Sequence, residues 1–323
     1  MIGSNLCEHL LGLGHEVLCV DNLSTGQREN VRTFESHPRF RFVEHDIVQE
    51  LPPFPRLDRV YHLASPASPA GYVRAQIETL RVNSEGTRRL LELASLHGAR
   101  LLYSSTSEAY GDPLVHPQTE EYRGNVSCTG PRSMYDEAKR YGEALTMAFV
   151  RTRGLDARIV RIFNTYGPRS HPNDGRLVVN LIVQALRRQP MTIYGDGGQT
   201  RSLCYVADLV EGLTLAMESP RAGGEVINLG NPDEHTVLDV ARIVRELAGF
   251  DSRFTFGPPA VGDDPRLRRP DIGKALSLLG WEPRVGLRQG LLLTIDFMRQ
   301  VLDGPRRAMP RRAPPARARL RVS

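Results

Sequence analysis

The 323-residue sequence is poor in the features that mark disulfide frameworks, metal centres and membrane spans. Its four cysteines (Cys7, Cys19, Cys128 and Cys204) show no paired spacing, and its nine histidines form no cluster with ligand spacing. These absences exclude a disulfide-stapled fold and leave no candidate metal site. No apolar run approaches the ~18 residues that a membrane-spanning helix needs, and no signal peptide is visible. We therefore expect a reduced, cytoplasmic setting without a membrane partner, with Cys7 and Cys19 as small core residues.

The net charge of +5 comes from the end of the chain. Seven arginines lie beyond residue 305, and removing seven charges from +5 leaves −2 for the rest. A mildly acidic body gives no reason to expect a nucleic-acid partner. Residues 303–323 are rich in Arg and Pro without apolar periodicity, which predicts a disordered tail.

Short apolar runs rich in β-branched residues alternate with helical patterns through the first half of the chain. The predicted strands are 16–21, 40–46, 59–64, 100–106 and 157–164, and the predicted helices begin at Gly3 and cover about 73–97 and 133–153. Such alternation is typical of a doubly wound parallel sheet covered on both faces, a Rossmann-type α/β fold. We expect a nucleotide-binding domain over 1–170 and a smaller α/β lobe over 171–302, interleaved with the first.

The first residues resemble the second half of a dinucleotide-binding βαβ unit. In such a unit a Gly-rich turn leads into a helix that holds a pyrophosphate, and an acid about 20 residues further on binds the adenosine ribose. Gly3 at a helix start and Asp21 at a strand end fit the last glycine and the acid. We expect the first strand and its glycines to belong upstream of Met1.

A tyrosine and a lysine at helical spacing indicate the chemistry. Tyr135 and Lys139 stand at i, i+4 and project from one helix face. An ammonium near a phenol lowers its pKa towards neutrality and makes it a usable base. Ser105, Thr106 and Ser107 follow a predicted parallel strand at its carboxyl end, where open α/β sheets bind ligands.

Longer segments resemble the extended short-chain dehydrogenase/reductases that act on nucleotide sugars. They include "STSEAYGDPLVHPQTEEY", "GPRSMYDEAKR", "RIFNTYGPR", "NDGRLVVN", "YGDGGQTRSLCYV", "NLGNPDEHTV" and "RRPDIGKALSLLGWEP", and they extend from about residue 3 to 302. Within this family the stretch at 105–118 is most similar to the branch that decarboxylates UDP-glucuronate. Epimerases lack its glutamate, and 4,6-dehydratases carry Asp-Glu where this chain has Ser107-Glu108.

The resemblance implies a reaction with internally recycled NAD and a role for each matching residue. Tyr135, assisted by Lys139 and Thr106, takes the proton of the sugar 4-hydroxyl while hydride passes to NAD⁺. The 4-ketone serves as electron sink for loss of carbon dioxide from UDP-glucuronate, and return of the hydride gives UDP-xylose. Ser107 and Glu108 are the implied helpers at carbons 5 and 6, and Arg268 orients the carboxylate.

The same resemblance implies the remaining binding residues. For NAD these are Gly3, Asp21, Asn22, Leu23, Thr25, Gly26, Asp46, Ile47, Leu63, Ser65, Tyr135, Lys139, Thr165 and Arg169. For the UDP-sugar they are Arg81, Asn164, Arg176, Tyr194, Arg201 and Arg268. Asp21 should favour NAD⁺ over NADP⁺ because a carboxylate repels a 2′-phosphate.

The beginning of the chain departs from this family. Relatives start with a strand and "TGGAGFIGS", whereas this chain starts "MIGS". We expect the start to be misassigned, the 323-residue form to be poorly soluble or NAD-free, and a form extended by about 20 residues to be neither.

Family helices equivalent to 73–97 and 133–153 pair across a two-fold axis, which implies a homodimer. Here they carry Leu80, Leu90, Leu91, Leu145 and Met147 in apolar patterns. Three alternatives stay open: another nucleotide-sugar epimerase or dehydratase, a UDP-apiose/xylose synthase, and an inactive, NAD-free paralogue that acts as a dimerisation partner.

Overall fold

The computed structural model describes residues 1–258 and 267–304. Its last helix, α11 (Leu287–Asp303), ends inside the segment predicted to be a disordered tail. The prediction was therefore wrong for residue 303, which completes an amphipathic helix. Residues 305–323 of the predicted tail lie outside the described residues.

A four-stranded parallel sheet forms the centre of the fold. Its order is β10 (Val226–Leu229), β5 (Ala157–Ile162), β4 (Arg100–Thr106), β3 (Arg59–His62). Side chains of β4 alternate between two helical layers. Leu101 and Tyr103 pack with α5 (Thr87–His97) and α6 (Ser133–Arg153), whereas Leu102 packs with α8 (Val206–Glu218). Helices thus cover both faces, which confirms the doubly wound, Rossmann-type fold.

The first two strands form a separate parallel pair. Helix α1 (Ile2–Gly12) leads into β1 (Val17–Asp21), which pairs with β2 (Phe40–Glu44) from Val17 opposite Phe40 to Asp21 opposite Glu44. Within residues 1–258 and 267–304 no strand pairs with the other edge of β1, and all five of its residues are half-buried. Strands β1 to β5 and β10 therefore stand in two pieces, with β1 and β3 unpaired across the seam.

The helical stretch predicted at 73–97 is interrupted rather than continuous. It consists of α3 (Pro69–Arg74), α4 (Gln76–Arg81), a π-helical turn (Val82–Gly86) and α5. Ala75, with φ −123° and ψ 56°, leaves the helical region between the first two. In the π-turn, the buried Asn83 donates to the Thr79 carbonyl at 2.8 Å and to the Ser65 hydroxyl at 2.9 Å. Side-chain hydrogen bonds thus accompany the irregular backbone, and apolar periodicity does not reveal them.

Segments after residue 170 contribute to both parts of the molecule. Strand β10, α8 and α10 (Gly273–Leu279) pack on the central sheet. A second hydrophobic cluster joins α7 (Leu177–Leu186), β7 (Met191–Tyr194), α9 (Val237–Ala248) and α11, with β12 (Phe254–Gly257) beside β7. The remaining short elements are α2 (Glu29–Arg32), β6 (Thr165–Tyr166), β8 (Thr200–Ser202), β9 (Cys204–Tyr205) and β11 (Glu234–Thr236). The domain boundary at residue 170 stays a prediction.

The five apolar residues named on the two predicted helices differ in their burial. Leu91 is fully buried, and Leu90, Leu145 and Met147 pack against the cluster below it. Only Leu80 of the five is exposed, at 40%. Leu91 fills the layer between helices and sheet, whereas Leu90, Leu145 and Met147 are half-buried, and the homodimer stays a prediction. The exposed apolar side chains on α3, α4 and α6 are Val73, Ile77, Leu80 and Tyr141.

Two negative findings concern the described ranges only. No group of His, Cys, Asp or Glu side chains there has the arrangement of a metal site. No helix there is both long and apolar enough to cross a membrane. The four cysteines are unpaired, and Cys7 and Cys19 pack against a small cluster around Phe34 and Phe40.

Candidate active site

One cavity of about 2260 Å³ opens at the carboxyl ends of the parallel strands and continues between β1 and β3. Every residue that the sequence predicts for catalysis, cofactor or sugar nucleotide lines it. The structure thus brings the predicted residues together, while the role of each stays a prediction.

Tyr135 and Lys139 lie on the first turns of α6 and face the end of β4. Tyr135 is hydrogen-bonded to the Thr106 hydroxyl and stacks on Tyr72, with 4.8 Å between ring centroids. Lys139 Nζ donates to the Ser104 carbonyl at 2.8 Å and lies 6.0 Å from the centroid of the Tyr135 ring. The β4 backbone therefore fixes the lysine, and the β4 terminus positions the tyrosine.

The expected low pKa of Tyr135 is not found in the ligand-free chain. Burial raises the pKa of Tyr135 to about 12, against the hydrogen bond with Thr106. Burial also lowers the pKa of Lys139 to about 7, although Glu143 acts in the opposite direction. The reason is geometric: the ammonium points at a backbone carbonyl, so desolvation outweighs any attraction between the two groups.

The hydroxyls of Ser105, Thr106 and Ser107, at the carboxyl end of β4, have different hydrogen-bond partners and burial. The Ser105 hydroxyl donates to Glu143 Oε1 at 2.5 Å, and Arg161 holds the same carboxylate through two hydrogen bonds of 2.9 and 2.8 Å. Thr106 caps the 3₁₀ turn Ser107–Tyr110 by accepting from the Glu108 amide. Ser107 is buried at the cavity wall. Thr106 and Ser107 thus remain available to a ligand, whereas Ser105 supports the fold.

Glu108 is held by two buried arginines. Its Oε1 accepts from Arg268, and its Oε2 accepts from Arg132. Burial alone would raise the pKa of Glu108, but Arg268 and Arg132 outweigh it and keep that pKa below its ordinary value. Glu108 is therefore a carboxylate at neutral pH. Its backbone N–H donates to the Thr106 hydroxyl, the group that contacts Tyr135.

A glutamine brings Arg268 to Glu108 across 160 residues of sequence. The Gln118 backbone N–H donates to the Arg269 carbonyl at 2.9 Å. The Gln118 side-chain Oε1 accepts from the Arg269 backbone N–H at 2.9 Å. The Gln118 carbonyl also accepts from the Asp271 amide at 2.9 Å. Gln118 is fully buried. This short β-like bridge fixes the segment on which Arg268 stands.

Leu23 and Gly26, two of the residues predicted to bind NAD, lie beside Asp21 at the end of β1. Asp21 Oδ1 accepts from the Leu23 amide at 2.8 Å, and a Cβ at Gly26 would stand 2.9 Å from Oδ2. Gly26 therefore leaves the space that the loop needs beside this carboxylate. At Gly3 an added Cβ would meet only Leu63, at 3.9 Å, so the protein itself does not require glycine there. The open space beside Gly3 belongs to the cavity, as the fit of a dinucleotide requires.

Residues after β5 contact helix α1 and line the cavity. Arg169 donates to the Ser4 carbonyl at 3.1 Å and pairs with Glu8 at 2.9 Å. Thr165 donates to the Phe163 carbonyl at 2.9 Å. Asn22, Thr25, Asp46, Ile47 and Ser65 line the same region. The residues predicted for NAD therefore all line one cavity.

The residues predicted for the UDP-sugar line the same cavity. Arg176, before α7, pairs with Asp174 at 2.5 Å, and Arg201 Nη1 donates to the Thr200 carbonyl at 2.7 Å. Tyr194 is 42% exposed at the end of β7, and Asn164 follows β5. Arg81 pairs with Glu85 at 3.1 Å and is half-exposed at the rim. These groups suit an anionic, partly aromatic ligand.

Two site residues were missed at the sequence level. Arg132 stands three residues before Tyr135, one turn earlier on the same helix, and Tyr72 stacks on Tyr135 from α3. The i, i+3 spacing of "RSMY" was a usable indication for Arg132. The sequence carries no indication for Tyr72, because its contact depends on the break at Ala75.

Comparisons with known proteins find relatives over most of the chain. The sequence profile described as "NAD dependent epimerase/dehydratase family" matches residues 1–230. UDP-glucuronic acid decarboxylase 1 of Xenopus tropicalis is 48% identical over 302 residues, which cover 94% of this chain and 70% of that protein.

Solved structures give the same likeness in three dimensions. UDP-glucose 4-epimerase of Thermotoga maritima, with UDP-glucose, is 33% identical at a TM-score of 0.84, covering 94% of this chain and 96% of that chain. UDP-glucuronic acid 4-epimerase of Bacillus cereus, in complex with UDP-glucuronic acid and NAD, is 30% identical at a TM-score of 0.83, covering 93% and 96%.

Proposed function

This chain belongs to the NAD-dependent epimerase/dehydratase family, and from that membership we propose that it decarboxylates UDP-glucuronate to UDP-xylose. The observation that carries the proposal is Glu108 with its two arginines beside Tyr135. A sugar carboxylate needs a cation to orient it, and Arg268 supplies one next to the tyrosine that faces the 4-hydroxyl. Epimerisation of a neutral sugar has no use for that cation.

NAD fits the wall around Asp21. The Asp21 carboxylate suits the adenosine ribose, and the open space at Gly3 on the first turn of α1 suits the pyrophosphate. When bound, NAD⁺ supplies reversible hydride transfer at carbon 4, which turns that carbon into the ketone that stabilises loss of carbon dioxide. Thr165, Arg169 and Ser65 line the same cavity.

The chain's own residues manage protons and orientation. Tyr135 takes the proton of the 4-hydroxyl as the phenolate, a form that the positive charge of bound NAD⁺ would favour over the buried phenol, and Thr106, hydrogen-bonded to it, shares the same sugar oxygen. Arg268 holds the carboxylate until the bond to carbon 5 breaks. A solvent proton reaches carbon 5 through a water held by the Glu108 carboxylate and the Ser107 hydroxyl, and carbon dioxide and UDP-xylose are the products once the hydride returns. Tyr135 returns its proton to oxygen 4.

The test is product analysis by NMR after the purified protein is incubated with NAD⁺ and UDP-glucuronate. We expect carbon dioxide and UDP-xylose, without net consumption of NAD⁺. UDP-galacturonate would instead identify a uronate 4-epimerase, and a free 4-keto pentose with stoichiometric NADH would identify an oxidative decarboxylase. UDP-apiose beside UDP-xylose would identify the synthase alternative. Tyr135→Phe, which removes the oxygen that accepts the proton, should abolish turnover.

We also propose that two chains form a homodimer through α3, α4 and α6. Val73, Ile77, Leu80 and Tyr141 expose apolar surface on these helices at 40–65% of their side-chain area. Exposed apolar groups on neighbouring helices favour a self-complementary contact about a two-fold axis.

A further inference from the structure

Two arginines from distant parts of the chain share one carboxylate. Arg132 contacts Glu108 Oε2 from the N-terminus of α6, and Arg268 contacts Oε1 from the segment before α10. All three side chains are at least 86% buried. An assembly of this kind is costly to form without a function, because each charge loses its hydration.

The two arginines are anchored differently. The Arg132 carbonyl accepts from the Tyr135 amide at 2.9 Å and the Asp136 amide at 3.1 Å, so Arg132 moves only with the helix that carries Tyr135. Arg268 belongs to the separate segment fixed by Gln118. Its Nη2 is buried without a hydrogen-bond partner among the described residues. Arg268 also lines the cavity, so a turn of its side chain would bring this donor to a ligand oxygen.

We propose that Arg132 is a positioning residue that holds the Glu108 carboxylate beside Tyr135 while Arg268 turns its remaining donor to the carboxylate of the sugar. The inference rests on the proposed function. Without Arg132, the substrate carboxylate and Glu108 would compete for one guanidinium, and their like charges would push Glu108 away from carbon 5. Arg132 thereby selects for substrates that carry a carboxylate, without touching them.

A double-mutant cycle tests whether Arg132 acts through Glu108. We expect Arg132→Ala to lower kcat about a hundredfold with KM within about threefold. In a Glu108→Gln background the same change should lower kcat less than about threefold, because the group it positions is gone. Arg132→Lys, which keeps one donor, should recover about tenfold of the loss, and it carries the same comparison if Arg132→Ala does not fold.

Arg140→Ala is the matched control. Arg140 lies two turns further along α6 and donates to the Ala109 and Arg123 carbonyls at 3.0 and 2.8 Å, so it supports the same loop without contacting Glu108. Its effect should multiply with that of Glu108→Gln. Multiplying effects for Arg132→Ala would overturn the proposal and leave a structural role.

A second readout does not depend on turnover. In protein labelled with ¹³C-glutamate, the resonance lost in Glu108→Gln identifies Glu108, and its titration reports its pKa. That pKa should rise in Arg132→Ala and stay unchanged in Arg140→Ala; an unchanged value in both refutes the positioning role. If the wild type shows no decarboxylation while the titration moves as stated, the proposed function fails and the Arg132–Glu108 coupling stands.

Discussion

Burial sets the protonation of the groups on α6 that face the cavity. Tyr135 keeps its proton and Lys139 loses its proton near neutral pH, because both are cut off from water in the ligand-free chain. Glu108 stays charged only because two guanidiniums oppose the same desolvation. A ligand that brings charge into the cavity therefore alters all three groups together.

Lys139 should make stability depend on pH. Its folded-state pKa of about 7 lies below its ordinary value of about 10.4, so the unfolded chain binds more protons between these values. The free energy of unfolding should then rise with pH from 7.5 to 9.5 by about 1.4 kcal/mol per unit from this group. Urea denaturation should show that rise in the wild type and not in Lys139→Met. Lys274→Met, at the chain's other lysine, should behave as the wild type.

Asp21 should determine the choice of cofactor. Its carboxylate stands at the end of β1, where an adenosine ribose would meet it, and repels a 2′-phosphate. Asp21→Asn should weaken NAD⁺ binding about tenfold and reduce the preference over NADP⁺, since one charge and its hydrogen bond are changed. Calorimetric titration with both cofactors measures this, and Glu44→Gln on β2 is the control. Equal wild-type affinities for both would remove the role of Asp21.

At the scale of elements, sequence patterns located the regular pieces well. Strand β4 and helix α6 coincide with the predicted 100–106 and 133–153, because apolar periodicity records burial directly. The break at Ala75 and the π-turn around Asn83 escaped prediction; in the π-turn, Asn83 makes hydrogen bonds with Ser65 and Tyr103 that only the fold brings near. The pairing of Glu108 with Arg132 was missed for the same reason.

The hydrogen bonds of Gln118 should support stability and the position of Arg268 without taking part in the reaction. Gln118→Ala removes the acceptor for the Arg269 amide and the donor to the Val115 carbonyl at 2.8 Å. We expect about 1–3 kcal/mol loss of stability and a fall in kcat for UDP-glucuronate, because Arg268 loses its fixed position. Thermal unfolding and steady-state kinetics measure both. Gln189→Ala, at an exposed glutamine, should change neither; full activity in Gln118→Ala would show that Arg268 needs no such support.

At the scale of the whole molecule, assembly should depend on the exposed apolar side chains of α4. Ile77→Asp, at a side chain 65% exposed, should shift the protein from dimer to monomer in sedimentation at micromolar concentration. Leu114→Asp, at an 81% exposed loop position, introduces the same charge outside these helices and should leave the dimer intact. A wild-type protein that sediments as a monomer contradicts the proposed homodimer.

Because one cavity extends from β1 to the end of β4, ligand binding and the free energy of unfolding are coupled. Asp21 stands on one side of the seam between β1 and β3 and Tyr135 on the other, and both line the same cavity. A molecule long enough to touch both therefore adds its contacts to those that hold the two pieces together. By mass action, such a ligand at a hundred times its Kd stabilises the folded chain by about 2.7 kcal/mol. A dinucleotide here is then a structural component as well as a reagent, and its departure weakens the architecture that receives the sugar.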